Sequence, residues 1–171
     1  MEIHPELAEN LENQGAVIAA RKIQDLIPRW NRKFKIIFLR HVLEHLPDPI
    51  GDMEKISQCL GPDGFLYVAL PNFLKGIPKA GFRVDYLRPM HISYFTPRKL
   101  EWVLHSAGLQ VIAMDGNDWE LWAIAKPGGS PIEIKNEMNE NYAHFKYLLK
   151  NHRLKDLKGM AKIILRKIIQ R

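Results

Sequence analysis

Short apolar runs alternate along this chain with segments in which apolar residues recur every three or four positions, and this alternation limits the fold more than any other feature. The runs are rich in β-branched and aromatic residues and predict strands at residues 16–20, 34–39, 65–70, 109–114 and 119–125. Strand–helix–strand repeats with almost continuously apolar strands are typical of a parallel sheet covered on both faces. The sequence therefore predicts an α/β fold.

Proline and glycine mark the ends of three predicted helices between these runs. Each helix begins at a proline and stops at a glycine, in the pairs Pro5 and Gly15, Pro49 and Gly61, and Pro97 and Gly108. Proline fits a first turn because its missing N–H has no partner there, and glycine fits the position after a helix because that position favours a positive φ. Asp48 and Thr96 are the expected N-caps of the second and third helices, and a weaker helical segment covers residues 22–30.

The last two predicted strands are separated by only four residues, 115–118. A connection this short joins antiparallel neighbours, because parallel neighbours need a crossover of about a dozen residues or more. We therefore expect a mostly parallel sheet that ends in an antiparallel hairpin. The expected domain covers residues 1–126, a linker covers residues 127–135, and residues 136–171 form a helical tail.

The net charge of +6 is concentrated in this tail. Residues 150–171 contain eight Lys and Arg and one acidic residue, while the other 149 residues contain 17 basic and 18 acidic ones, so the body is close to neutral. The single cysteine excludes an intrachain disulfide and favours a reducing compartment. The N-terminus does not resemble a signal peptide. We expect a cytoplasmic protein, with peripheral attachment to the inner membrane face as a further option.

The stretch RHVLEHLPDP at residues 40–49 admits two interpretations. His41, Glu44 and His45 form the H-x-x-E-H pattern of inverzincin metallopeptidases, which needs a helix that presents both histidines. Two prolines follow within four positions, and proline is poorly tolerated inside a helix, so we expect no metal here. Alternatively the stretch ends a strand and faces a bound ligand, since ligands of open α/β sheets lie beyond the carboxyl ends of the strands. His45 is also consistent with simple packing of a tight turn.

Three segments carry a resemblance to a known family: FKIIFLRHVLEHLPDP, LGPDGFLYVALPN and HISYFTPRKLEWVLHSAGLQVI. Together they resemble the class I S-adenosylmethionine-dependent methyltransferases, in the broad branch that includes quinone-biosynthetic, sugar and small-molecule methyltransferases. The resemblance covers roughly residues 1–126. It implies a Rossmann-like methyltransferase sheet, S-adenosylmethionine as cofactor, and methyl transfer to a small-molecule, sugar or lipid-linked acceptor.

The resemblance also assigns cofactor-binding residues. In the family an acidic residue at the end of the second strand binds the ribose hydroxyls, and Glu2 is the matching acid. A carboxylate suits this role because it accepts hydrogen bonds from both hydroxyls. The loop after the family's fourth strand lines the methionine end of the cofactor, which places Arg40 and His41 near the transferred methyl group.

The acceptor side is assigned in the same way. Asn72 ends the strand that faces the substrate, and the segment HISYF at residues 91–95 forms part of the substrate wall, with Tyr94 as a polar contact. His91 is the candidate general base, because an imidazole titrates near neutral pH. A base is needed only if the acceptor must lose a proton, and a structural role for His91 remains the alternative.

One element of the family pattern is missing from the sequence. The family's first strand and its glycine-rich turn should precede residue 1, and no Gly-x-Gly occurs before Gly15. Those glycines let the backbone approach the cofactor, and removal of a central strand leaves unpaired edges. The resemblance therefore implies a truncated or mis-started methyltransferase, or a domain completed by another chain. A non-catalytic remnant or interaction module is the alternative function.

The tail segment at residues 154–171 combines an apolar stripe with basic flanks. Such a helix can lie on an anionic membrane surface, or it can pack on the body or on a second copy of the chain. Aromatic residues do not alternate with its basic residues, which argues against nucleic acid as a partner.

Overall fold

The structure is a computed structural model that describes residues 5–17, 22–73, 75 and 91–132. Three sequence predictions lie outside these residues: the cofactor ligand Glu2, the greater part of the strand predicted at 16–20, and the helical tail at 136–171. No helix among the described residues is long and apolar enough to cross a membrane.

The described elements follow the predicted alternation of helices and strands. The helices are α1 (Pro5–Asn13), α2 (Ile27–Trp30), α3 (Pro49–Cys59) and α4 (Pro97–Ser106), and short 3-10 helices cover Ile23–Asp25 and Leu43–His45. The strands are β1 (Phe34–Arg40), β2 (Leu60–Pro71), β3 (Leu109–Gly116) and β4 (Glu120–Pro127). Four of the five predicted strands are thus confirmed, and the fifth is the one at 16–20.

The four strands form one sheet in the order β1-β2-β4-β3. β1 and β2 run parallel, and β4 lies between β2 and β3, antiparallel to both. Three of the four strands therefore point in one direction and only β4 opposes them. This arrangement confirms both the mostly parallel sheet and the antiparallel hairpin predicted from the length of the last loop.

The helix ends are set by local interactions that the sequence indicated. The Asp48 side chain accepts a hydrogen bond from the Gly51 N–H at 3.0 Å, and Thr96 accepts one from the Lys99 N–H at 3.1 Å. Gly108 has a φ of +74°, as expected for the residue after a helix. Gly61 was assigned wrongly, because Leu60 already has an extended backbone and Gly61 belongs to β2.

Helices α3 and α4 pack on one face of the sheet. Side chains alternate between the two faces of a strand, and Leu66, Val68 and Leu70 of β2 are fully buried on the helix-covered face. They join the helical core residues Met53, Ile56, Leu100, Val103 and Leu104. This core fixes the sheet and holds the carboxyl ends of β1 and β2 side by side, which creates a common rim.

Candidate functional site

The rim is built where β1 and β2 end and β4 begins. The His41 N–H donates to the Ala69 carbonyl at 2.8 Å, which holds the loop after β1 against β2. His41 has a φ of +52°, a left-handed conformation that is uncommon for a residue with a side chain. Such conformations concentrate at functional sites because the surrounding structure must hold them in place.

Arg40 and His41 share one carboxylate across the rim. Glu120, the first residue of β4, accepts a hydrogen bond from Arg40 Nε at 2.9 Å, and its Oε1 lies 3.0 Å from His41 Nε2. The hydrogen bond to Glu120, and then its charge, raise the pKa of Arg40. The two predicted cofactor-binding residues are therefore brought together by an acid that the sequence analysis did not identify.

The other ring nitrogen of His41 faces a second carboxylate. Glu44 Oε1 lies 3.4 Å from His41 Nδ1 and 3.8 Å from His45 Nε2. The Glu44 side chain is only 2% exposed, and among the described residues neither of its carboxylate oxygens has a hydrogen-bond partner. A buried acceptor without a partner costs about 1–3 kcal/mol, so such a group calls for an explanation.

Glu44 lies at a small cleft that opens beside the rim. The cleft has a volume of about 10 Å³, room for about one water molecule, and is lined by Glu44, Pro71, Phe73, His91, Ser93, Tyr94 and Phe95. The Ser93 N–H donates to the Glu44 carbonyl at 3.1 Å and so holds the segment after residue 90 against the loop after β1. Two predicted residues, His91 and Tyr94, are thus brought together with Glu44. Ser93 belongs to the predicted wall segment at residues 91–95, and Phe73 was not predicted.

Aromatic rings form most of the wall of this cleft. The Phe73 and Tyr94 rings lie 5.0 Å apart, and the His91 ring lies 6.1 Å from Tyr94 and 4.9 Å from His45, edge to face. Burial raises the pKa of the Tyr94 hydroxyl, so Tyr94 stays protonated at neutral pH and can donate a hydrogen bond.

Asn72, the second predicted acceptor-binding residue, is 2% exposed, and its side chain makes hydrogen bonds outside the cleft. Its side-chain amide donates to the Asn117 carbonyl at 2.9 Å, and its Oδ1 accepts from the Lys75 N–H at 3.3 Å. In this arrangement Asn72 fastens the β3–β4 turn to the end of β2. Its contact with an acceptor stays a prediction.

A group of three side chains has the geometry to hold a metal ion. Glu44, His45 and His91 each offer one ligand atom, and these atoms lie within 4.8 Å of one another. Carboxylate and imidazole ligands suit several divalent metals. This set differs from the H-x-x-E-H set, because residues Leu43–His45 form a single 3-10 turn and not a helix that presents His41 and His45 together.

The sheet and its rim define an α/β domain of Rossmann-like type with an antiparallel last strand. A family model described as a methyltransferase domain matches residues 4–114, and the chain belongs to this family. One similar curated protein is the C-methyltransferase NovU of Streptomyces niveus, 25% identical over 112 residues. The match covers 64% of this chain and 26% of NovU, so the chain spans about a quarter of that relative's length.

Solved structures share the fold. A complex of the Haloferax volcanii Trm112 methyltransferase activator with a putative methyltransferase matches with a TM-score of 0.60 at 14% identity, over 74% of this chain and 70% of the other. A possible histamine N-methyltransferase from Thermotoga maritima, described as S-adenosylmethionine-dependent, also gives 0.60 at 15% identity, over 74% and 71%. At these identities the likeness is one of architecture.

Proposed function

We propose that this chain takes part in methyl transfer from S-adenosylmethionine to a small-molecule acceptor, including sugar and lipid-linked acceptors, at the rim and its cleft. Membership of the methyltransferase-domain family supports the reaction class. The name of the C-methyltransferase relative supports an acceptor that must lose a proton. The proposed reaction does not depend on attachment of the chain to a membrane or to a lipid surface.

The observation that carries this proposal is the buried carboxylate of Glu44 in the cleft. A carboxylate that is 2% exposed and lacks hydrogen-bond partners in the described part of the chain is unfavourable for stability. A buried carboxylate at this position is explained if Glu44 accepts a proton, or a hydrogen bond, from a group that enters the cleft. Glu44 faces His45 and His91, and a carboxylate beside an imidazole favours the protonated ring that forms when the histidine accepts a proton.

The proposed step moves one proton and one methyl group. His91 removes a proton from an acceptor hydroxyl or acidic C–H, and the electron pair left on that atom attacks the methyl carbon. A bound S-adenosylmethionine would supply this methyl group, and its sulfur would keep the electron pair of the broken carbon–sulfur bond in the S-adenosylhomocysteine that leaves. Glu44 stabilises the resulting imidazolium. A positioned general base contributes about 10²–10⁴-fold to such a reaction.

S-adenosylmethionine supplies an electrophilic methyl group when it is bound. Arg40 and His41 fit its methionine end, because they lie at the carboxyl end of β1 and their side chains are 66% and 45% exposed. The acidic ligand for the ribose is Glu2 by resemblance, outside the described residues. Because the sequence contains no Gly-x-Gly turn before Gly15, we expect this chain alone to bind the cofactor weakly.

The first test is a calorimetric titration of the 171-residue protein with S-adenosylhomocysteine. We expect a dissociation constant above about 1 µM, weakened about tenfold further in His41→Ala. His105→Ala is the matched control, since His105 is an exposed histidine on α4 whose Nδ1 lies 3.0 Å from the Ser130 carbonyl. Binding tighter than 1 µM would contradict the expectation of an incomplete cofactor site. No binding at millimolar ligand would favour a non-catalytic interaction module.

The second test separates chemistry from cofactor binding. Release of S-adenosylhomocysteine is measured with phenols, sugar hydroxyls and ketosugars as acceptors, since these classes lose a proton from oxygen or carbon. With an acceptor that reacts, we expect His91→Asn and Glu44→Gln to lower kcat by about 100-fold or more, with S-adenosylhomocysteine affinity unchanged. Equal activity in wild type and both variants would exclude the cleft as the site of proton removal.

A further inference from the structure

Glu44, His45 and His91 form a cluster in which one oxygen and two nitrogens face a common point. The ligand atoms that the three side chains offer all lie within 4.8 Å of one another. The centroids of the His45 and His91 rings lie 4.9 Å apart, and the rings meet edge to face. Two imidazoles that bind one tetrahedral ion through nitrogens about 2.0 Å away have ring centroids about 5 Å apart. The two rings therefore already have the separation that a shared ion requires.

The carboxylate of Glu44 is a second observation that points to a ligand. Its side chain is 2% exposed, and within the described ranges neither oxygen has a hydrogen-bond partner. Its Oε1 lies 3.8 Å from His45 Nε2, at the edge of the cluster. Buried charges in proteins are normally paired or bound to a metal, because an uncompensated charge is unfavourable away from water. A cation between Glu44 and the two histidines would supply the missing partner.

We propose that Glu44, His45 and His91 bind a divalent transition metal ion such as Zn²⁺. One carboxylate and two imidazoles match the ligands of catalytic zinc sites, whereas Mg²⁺ and Ca²⁺ prefer sites made of oxygen atoms alone. Ligand atoms around a tetrahedral zinc ion lie about 3.3 Å apart, so the cluster must contract by up to about 1.5 Å. Rotation of the two histidine rings provides this movement, because both are partly exposed while Glu44 is buried.

The backbone holds the three ligands near one another. Glu44 and His45 both belong to the 3-10 turn Leu43–His45. The Ser93 N–H donates to the Glu44 carbonyl at 3.1 Å, and this bond ties the segment that carries His91 to the turn. Ligands on two segments that are already joined lose less conformational freedom when an ion binds, and such preorganisation raises affinity.

His41 has the position of an outer partner of the ion and not of a ligand. Its Nδ1 lies 3.4 Å from Glu44 Oε1, and its Nε2 lies 3.0 Å from Glu120 Oε1. Carboxylates that bind a metal are themselves hydrogen-bonded, and loss of such an outer partner lowers metal affinity about 10–100-fold. The proposed set thus differs from the H-x-x-E-H pattern, in which His41 would be a ligand and His91 would have no part.

An ion held by three side chains keeps one open position. The cleft that Glu44 and His91 line has room for about one water molecule, as expected beside a zinc ion with three protein ligands. The ion would use the lone pair of His91 with which the proposed reaction removes a proton, so zinc and the proton compete for this ring. This consequence rests on the proposed function. We expect zinc to inhibit methyl transfer and a chelator to restore it.

Calorimetric titration of the full chain with Zn²⁺ tests the site directly. The protein is first freed of metal with EDTA, since a bound ion would satisfy Glu44. We expect one ion per chain with a dissociation constant below about 100 µM. Glu44→Gln and His91→Ala should each weaken binding at least about 100-fold, and His41→Ala about tenfold. His105→Ala is the matched control, because His105 lies on α4 outside the cluster, and it should leave the affinity unchanged.

Cobalt keeps the test independent of the stability of the variants. Co²⁺ binds to zinc sites, and its visible absorption reports the number and type of its ligands. We expect the spectrum of a four-coordinate site with nitrogen and oxygen ligands in the wild type and in His105→Ala. This spectrum should be absent in His91→Ala, while the metal-free variant keeps the thermal melting of the wild type.

The possible results separate the metal site from the proposed reaction. Zinc binding weaker than about 100 µM in the wild type, or equal affinity in the wild type and His91→Ala, would overturn the metal site. A loss in His41→Ala as large as in Glu44→Gln, with His91→Ala unchanged, would assign the ion to the H-x-x-E-H set instead. Zinc that binds with the expected pattern but does not slow release of S-adenosylhomocysteine would support the site and exclude His91 as the general base.

Discussion

Replacement of Glu44 by methionine should make the protein more stable while it removes activity. Glu44 is 2% exposed, and its two carboxylate oxygens have no hydrogen-bond partner within residues 5–17, 22–73, 75 and 91–132. Methionine has a similar length and adapts its shape to the available space, but it carries no charge and no unsatisfied acceptor. The substitution therefore removes an unfavourable group and leaves the packing nearly unchanged.

The expected gain follows from the contacts of the carboxylate. An unsatisfied buried acceptor costs about 1–3 kcal/mol, and an unpaired charge costs more. His41 and His45 offset part of this cost, since their ring nitrogens lie 3.4 and 3.8 Å from Glu44 Oε1. We expect Glu44→Met to raise the free energy of unfolding by about 1–3 kcal/mol at pH 8.

Urea denaturation at pH 8 measures this effect, with a second buried acid as the matched control. Asp52 is 6% exposed but has partners, since its Oδ1 accepts from Lys55 Nζ at 3.0 Å and from Gln24 Nε2 at 3.4 Å. Asp52→Leu should therefore lower the stability by about 1–2 kcal/mol. If Glu44→Met also lowers the stability by about 1 kcal/mol or more, the carboxylate is satisfied in solution and the argument for a functional role fails.

Three further predictions concern local structure. Gly108→Ala should destabilise the protein by about 1–2 kcal/mol in urea denaturation, because φ at Gly108 is +74°. Gly61→Ala should change the stability by less than about 1 kcal/mol, because Gly61 lies in a strand and an added Cβ would be 3.6 Å from its nearest atom, the Phe34 carbonyl oxygen. Equal effects of the two substitutions would contradict a conformational cause. Cys59 is 1% exposed and burial raises its thiol pKa, so a thiol reagent at pH 8 should label it only after unfolding, and rapid labelling of native protein would disprove this. Burial lowers the pKa of Lys99 below its usual 10.5. Between the pKa in the folded state and 10.5 the unfolded state therefore binds more protons than the folded state, so stability should rise with pH in this range. A series of denaturation experiments from about pH 8 to 10.5 should show this rise in the wild type and not in Lys99→Met.

The parts of the fold that the sequence predicted are those with local causes. The caps at Asp48 and Thr96 depend on a side chain and an N–H three residues later, and both hydrogen bonds are present. The hairpin depends on the length of one loop. Gly61 was misassigned because a glycine after a helix fits both a positive φ and the start of a strand, and the extended backbone of Leu60 decides between them.

The site was predicted only in part because its contacts cross long stretches of sequence. Arg40 and Glu120 are 80 residues apart and meet because β4 inserts between β2 and β3, an order that strand periodicity does not encode. The burial of Glu44 depends on the segment after residue 90, which is fastened to it through Ser93. The H-x-x-E-H spacing drew attention to Glu44, but only the packing shows that its carboxylate is buried without a hydrogen-bond partner in the described part of the chain.

The Arg40–Glu120 pair also depends on a small residue between its two strands. Arg40 reaches Glu120 above Ala69, which pairs with Arg40 and has no side chain beyond Cβ. Side chains that pair across neighbouring strands stand on the same face of the sheet, so a long side chain at position 69 would lie between the guanidinium and the carboxylate.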